Sequence, residues 1–249
     1  MDIIKFKGVI PSPPDNHDFE VAGLVPSMAS SFAKDFRIDP VGSMLNQLDE
    51  DCVANALAKA REIIEFKQSK IEQPFSPGFI YGNRLPSDYQ GQGMIPREAL
   101  SHLLKEGACL LKDFKYELEY PAIKSKLDYQ KILLLSKAVP YKISAYAAIK
   151  TDNDYKNALQ SLGPAIFIVA LYESFENVGP NGVVPLPKKG EKLLGGHCML
   201  AMGWENTNYK VIENSWGSSW GDHGFCYFPP TYPVNEMWSI TDSILPTKK

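Results

Sequence analysis

Three residues far apart in the chain could do nucleophilic chemistry together: Cys52, His197 and Asn214. A thiol attacks as its thiolate, and its usual pKa of roughly 8.5 falls by one to several units at a helix N-terminus or beside an imidazolium. Cys52 stands in the first turn of a segment with strong helical spacing, where the free amides and the macrodipole favour an anion. The imidazole of His197 could take the thiol proton and later return it to a leaving amine. The side-chain oxygen of Asn214 could accept the ring N–H and fix its tautomer.

These residues need particular elements to bring them together. Val53, Leu57, Ala60 and Ile64 recur at helical spacing, with Lys59, Arg61 and Glu62 between them, which predicts a helix from Asp51. Asp49 or Asp51 is placed to cap it. His197 lies in GGHCMLAMGW, just ahead of an apolar strand, and Asn214 ends the next strand, in VIENSWGSSWGDHGF. An antiparallel pairing of those strands sets a His near the start of one beside an Asn near the end of the other. Gly195 and Gly196 let backbone pass close by.

Residues 1 to about 34 are rich in Pro, Ser and Asp and read as an extended arm or a string of turns, expected to pack along the body without activation by large-scale processing. Turn formers crowd residues 74–93. A second helix is predicted from Pro96 to about Lys105, ended by Gly107, and a short one from Asp154 to Leu162. Leu127 to Leu135 fits either helix or strand. Strands are predicted at Ala165–Tyr172, Cys198–Trp204, Tyr209–Asn214 and Gly224–Phe228. Helices come first and strands later, so the expected class is α+β, one domain of two lobes: an arm over 1–34, a helical lobe over about 35–120 and a β-rich lobe over about 121–249.

The bulk numbers exclude several classes. The chain has 249 residues, 44% hydrophobic and 22% charged, with a formal net charge of −3. That is ordinary for a globular protein and lacks the basic excess of a nucleic-acid binder. No stretch approaches the roughly 20 apolar residues that span a bilayer. The first residues lack the long apolar core and small-residue cleavage site of a secretory signal. The protein is therefore expected in the cytoplasm or exported without a classical signal, as a monomer, with no membrane or nucleic-acid partner. Four cysteines without a C-x-x-C pair give neither a zinc site nor a disulfide scaffold. Cys109, Cys198 and Cys226 read as small buried side chains, and His17, His102 and His223 as surface or structural. No metal or cofactor is called for.

NSWGSSWGDHGF resembles the asparagine motif of papain-like cysteine peptidases, and GGHCMLAMGW their histidine motif. VVPLP, FIYGNR and YESF are similar to the bacterial and phage-type branch of that family, and the likeness runs from about residue 35 to the C-terminus. Cys52 precedes His197 by 145 residues (197 − 52), inside the roughly 130–150 of the papain group, and Asn214 by 162 (214 − 52), slightly beyond it. The resemblance implies a helical lobe supplying Cys52, an antiparallel β-barrel-like lobe supplying His197 and Asn214, and an active site in the cleft between them, acting on peptide or protein substrates. It further implies that Gln47 helps the Cys52 backbone N–H bind the oxyanion, that Trp216 shields the His–Asn pair, and that Gly93 pairs with the substrate backbone.

The nucleophile's loop departs from the family pattern. The family carries Q-G-x-x-G-S-C, whereas this chain reads NQLDEDCVANA, with Gln47 one residue closer to the cysteine and Asp49, Glu50 and Asp51 in place of the glycines. Carboxylates beside a thiolate raise its pKa. Three functions stay open on the sequence: a peptidase, a cysteine deamidase, transferase or isopeptidase, and a binding protein that keeps the fold without catalysis.

Overall fold

The computed structural model describes residues 8–16, 18–25, 32–84, 92–117, 122–205 and 209–242; His17 lies outside them. In chain order the elements are α1 (Val21–Leu24), β1 (Phe36–Arg37), α2 (Cys52–Ser69), α3 (Pro77–Gly82), α4 (Pro96–Lys105), α5 (Ala122–Ala138), β2 (Ala145–Ala148), α6 (Asp152–Ser161), β3 (Ala165–Tyr172), β4 (Leu193–Glu205), β5 (Tyr209–Glu213), β6 (Phe225–Phe228) and β7 (Val234–Thr241). The fold is α+β, as expected. The strands form one antiparallel sheet in the order β2-β7-β3-β4-β5-β6, with β1 added on β4; the sheet is open and does not close into a barrel.

The strongest helix is more buried than its pattern suggests. Alanines at 54, 56, 58 and 60 favour the helix and leave little bulk between it and its neighbours. Every residue from Cys52 to Ile64 is buried, including the charged Lys59, Arg61 and Glu62 between the apolar positions. Lys59 meets Glu62 at 2.6 Å and the carbonyls of Val41 and Ser43, and Arg61 meets Asp242 at 2.7 Å. Buried charges persist only when paired in this way. Asp51 does stand at the N-cap position, but its side chain makes no capping bond.

Two cores flank the sheet. Cys198, Leu200 and Met202 of β4 face α2 and the other helices, while Met199 and Ala201 face the opposite core with Phe175, Trp216 and Phe228. This is the alternation that a two-residue strand period imposes. The ambiguous stretch near Leu127 is helical, and α5 packs on α3: a Cβ on Gly82 would fall 2.6 Å from Ile123. The helical part thus extends past residue 121, beyond the boundary expected from sequence. Pro77 at the first turn and the Ser76 hydroxyl accepting from the Phe79 amide start α3 inside the stretch read as turns.

Candidate active site

Register sets the first half of the site. Val169 of β3 faces His197, and Leu200 of β4 faces Glu213 of β5. Asn214 follows Glu213, so it and His197 are diagonal neighbours on one face. His197 Nε2 lies 2.9 Å from Asn214 Oδ1, which also accepts from the Ser215 amide. An amide oxygen on Nε2 requires the proton there and leaves Nδ1 as the basic nitrogen. Nδ1 has no hydrogen-bond partner among the described residues. The Trp216 ring covers the imidazole at 5.0 Å between centroids, backed by Phe175 and Trp220. Burial pushes the His197 pKa down to about 4, partly offset by the Asn214 bond.

The second half is the loop leading into α2. The Asn46–Gln47 backbone docks on the NSWG turn: Asn46 bridges Trp216, and the Gln47 amide donates to Ser215 O at 2.8 Å. The Gln47 side-chain oxygen accepts from Ser215 Oγ at 2.8 Å and Trp216 Nε1 at 3.0 Å, while its Nε2 donates to Asp49 O at 3.0 Å. Gln47 is thereby tied to the turn that carries Asn214, although its loop is one residue short. Tyr116 braces the same loop: its hydroxyl accepts from the Leu48 amide at 2.7 Å and donates to Asp51 Oδ2.

Cys52 opens α2 and is fully buried. The backbone of Cys198, the residue after His197, lies against its thiol. Burial pushes the Cys52 pKa up to about 12, the Cys198 backbone lowers it, and Asp51 adds to the rise. With His197 pushed down as well, thiol and imidazole are both neutral in this conformation.

The cover over Cys52 is the N-terminal arm. Val9 pairs with Met94 in parallel: Met94 N donates to Gly8 O and Ile10 N to Met94 O, each at 2.9 Å. A Cβ on Gly8 would fall 2.5 Å from Cys52 Sγ and 2.8 Å from Glu50 O, so only glycine fits this approach. Val9 presses on Gly196, beside His197. Further along, Ser12 N donates to Glu236 Oε1 at 2.8 Å, Arg97 pairs with Asp18 at 2.6 Å, and Ala148 N donates to Phe19 O at 2.7 Å. The arm thus runs along the body and over the thiol.

Gly93 is near this edge, but its own backbone groups turn inward. Its amide donates to Tyr81 Oη at 3.3 Å and its carbonyl accepts from Arg84. The edge engaged by the arm belongs to Met94. No sequence motif marks Met94, Tyr116 or Gly8, because each acts by a contact made only on folding. The other cysteines are free and buried. Among the described residues no cluster of His, Cys, Asp and Glu could hold a metal, and no helix is long and apolar enough to cross a membrane.

The helix start that carries Cys52 lies against the strand that carries His197, at Cys198. The chain belongs to the papain family of cysteine proteases, whose family model matches residues 83–241. That stretch carries His197, Asn214 and Trp216 and begins after Gln47 and Cys52. The chain is 28% identical to a peptidase C1-like protein of Acanthamoeba polyphaga mimivirus, over 96% of this chain and 88% of the relative. It is similar in structure to xylellain, a cysteine protease from Xylella fastidiosa, with a TM-score of 0.79 and 27% identity over 96% of this chain and 97% of that one. Procathepsin L 3 of Tenebrio molitor larval midgut shares the fold at a TM-score of 0.69 and 15% identity, over 96% of this chain and 76% of that one.

Proposed function

We propose that this papain-family cysteine peptidase hydrolyses peptide bonds through an acyl-thioester on Cys52. His197 is the general base and acid, Asn214 orients it, and the whole chain works as one peptidase domain. The observation that carries the reading is the His197–Asn214 bond under Trp216, which leaves Nδ1 as a base without another partner. In the forward step Nδ1 takes the thiol proton as sulfur attacks the carbonyl carbon. The same proton then passes to the amine as the C–N bond breaks. Water repeats the cycle on the thioester. Gln47 Nε2 and the Cys52 amide stabilise the oxyanion. A substrate strand takes over the Met94 backbone groups that the arm now uses, rather than those of Gly93.

Turnover on this reading begins with departure of residues 8–12 from the thiol. Their departure returns water to Cys52 and removes the main cause of its raised pKa, so the thiolate–imidazolium pair can form. The non-catalytic alternative rested on the altered loop, and the anchoring of Gln47 to Ser215 and Trp216 weakens it. The test is labelling with a thiol-directed epoxide followed by peptide mapping. Stoichiometric modification of Cys52 is expected, abolished by His197→Ala. If Cys52 alkylates no faster than a free thiol at pH 6, the reading fails.

A further inference from the structure

The residue before the nucleophile is a fully buried carboxyl group. Asp51 Oδ2 accepts from the Tyr116 hydroxyl, and Oδ1 has no partner among the described residues. Asn55, one turn along α2, donates from Nδ2 to Asp51 O at 3.1 Å and to Tyr116 Oη at 3.4 Å, and its Oδ1 likewise has no donor. Two buried acceptors beside one phenol therefore lack a hydrogen. A proton on Asp51 adds a donor to a cluster whose acceptors outnumber its donors, since buried polar atoms are almost always paired.

The charged and titratable neighbours point the same way. Asp49 and Glu50 share its loop, Cys52 follows it on α2, Tyr116 faces it from the segment after α4, and Tyr81 faces it from α3. None of these groups is a cation. Asp49 already accepts from the Glu50 amide and from Gln92. Arg84 stacks on Tyr81 and bonds Gly93.

We infer that Asp51 is a positioning residue for the nucleophile: neutral, and held by Tyr116, it permits the Cys52 thiolate, and its ionisation sets the alkaline limit of Cys52 reactivity. Proton loss from Asp51 puts a negative charge next to the sulfur, so the thiolate takes back the His197 imidazolium proton and the reactive ion pair gives way to neutral thiol and imidazole as pH rises. Burial, opposed by the Tyr116 bond, moves the Asp51 carboxyl up to about 7, which places the limit near neutrality. The inference rests on Cys52 being the nucleophile.

The test uses the full chain and follows iodoacetamide labelling of the Cys52 peptide by mass spectrometry from pH 5 to 9. In the wild type the rate is expected to pass a maximum and fall above about pH 7. Asp51→Asn should remove that fall and label about tenfold faster at pH 8.5, because one nearby unit charge is gone. Tyr116→Phe keeps the ring but loses the bond that favours ionised Asp51, so its fall should move to higher pH and persist. If either variant folds and labels more slowly by the same factor at every pH, the residues only brace the loop and the inference is overturned. A wild type whose Cys52 never labels faster than His197→Ala overturns the nucleophile assignment, and this inference with it.

Discussion

The two walls of the site are built by different means. His197 and Asn214 sit on strands whose register is fixed by β3 and β5, under an aromatic stack, and their polar contacts are neutral. Gln47 to Cys52 is a loop held by side chains reaching from elsewhere: Ser215 and Trp216 on Gln47, Tyr116 on Leu48 and Asp51. A ladder tolerates no one-residue slip without turning every side chain to the wrong face. A loop can lose a residue and gain three carboxyl groups if new contacts hold its ends.

The contrast can be broken at several points. On the strand wall, His197→Ala should cost about 10,000-fold or more in peptide hydrolysis, since triad members act as a unit; a kcat assay with a peptide library decides this. A loss under tenfold would remove His197 from the chemistry. On the loop wall, Gln47→Ala should lower kcat by about 100- to 1,000-fold with little change in KM. An unchanged kcat would mean the shortened loop has lost its oxyanion donor.

The arm offers the opposite sign. Gly8→Ala cannot keep its approach to Cys52 Sγ. Overpacking of about 1–3 kcal/mol should shift the arm off the thiol and raise basal Cys52 labelling by about five- to a hundredfold. Labelling at the wild-type rate would show that the arm does not control access.

The last expected effect is on stability and not on catalysis, and it treats the walls alike. Glu213, just before Asn214, and Asp51, just before Cys52, each have a buried carboxyl whose pKa burial raises to about 7. The folded state therefore holds these protons more tightly than the unfolded chain. The stabilisation is present below the ordinary carboxylate pKa and is lost as pH rises through about 7. Glu213→Gln and Asp51→Asn should each flatten that decline, by on the order of 2 to 4 kcal/mol between pH 5 and 8. Urea titrations at the two pH values measure it; parallel pH slopes in wild type and variants would mean the carboxyls are not buried as described.

Much of the fold was legible because its elements are long and periodic. α2, α4, α6 and β3 fall within a few residues of their predicted spans, and the His and Asn strands run as expected, with β4 starting earlier, at Leu193. α5 was ambiguous because its apolar residues lie on two faces: Leu127 and Leu134 are buried while Tyr129 and Ile132 are exposed. α3 was hidden among turn formers whose Pro77 in fact begins a helix. β7 was missed because Val234–Thr241 carries Asn, Glu and Ser among its apolar residues.

By itself the sequence determined the class of fold, the strand pair that joins His197 to Asn214, and the position of Cys52 at a helix start. Local periodicity and motif spacing suffice for these, because each is set by neighbours along the chain. Only the tertiary structure decided that Asp51 turns to Tyr116 instead of capping its helix, that the arm pairs with the backbone of Met94, and that Gly8 covers the thiol. Those outcomes depend on which distant side chain wins a buried hydrogen bond or a space too small for a Cβ, and no spacing along the chain encodes that competition.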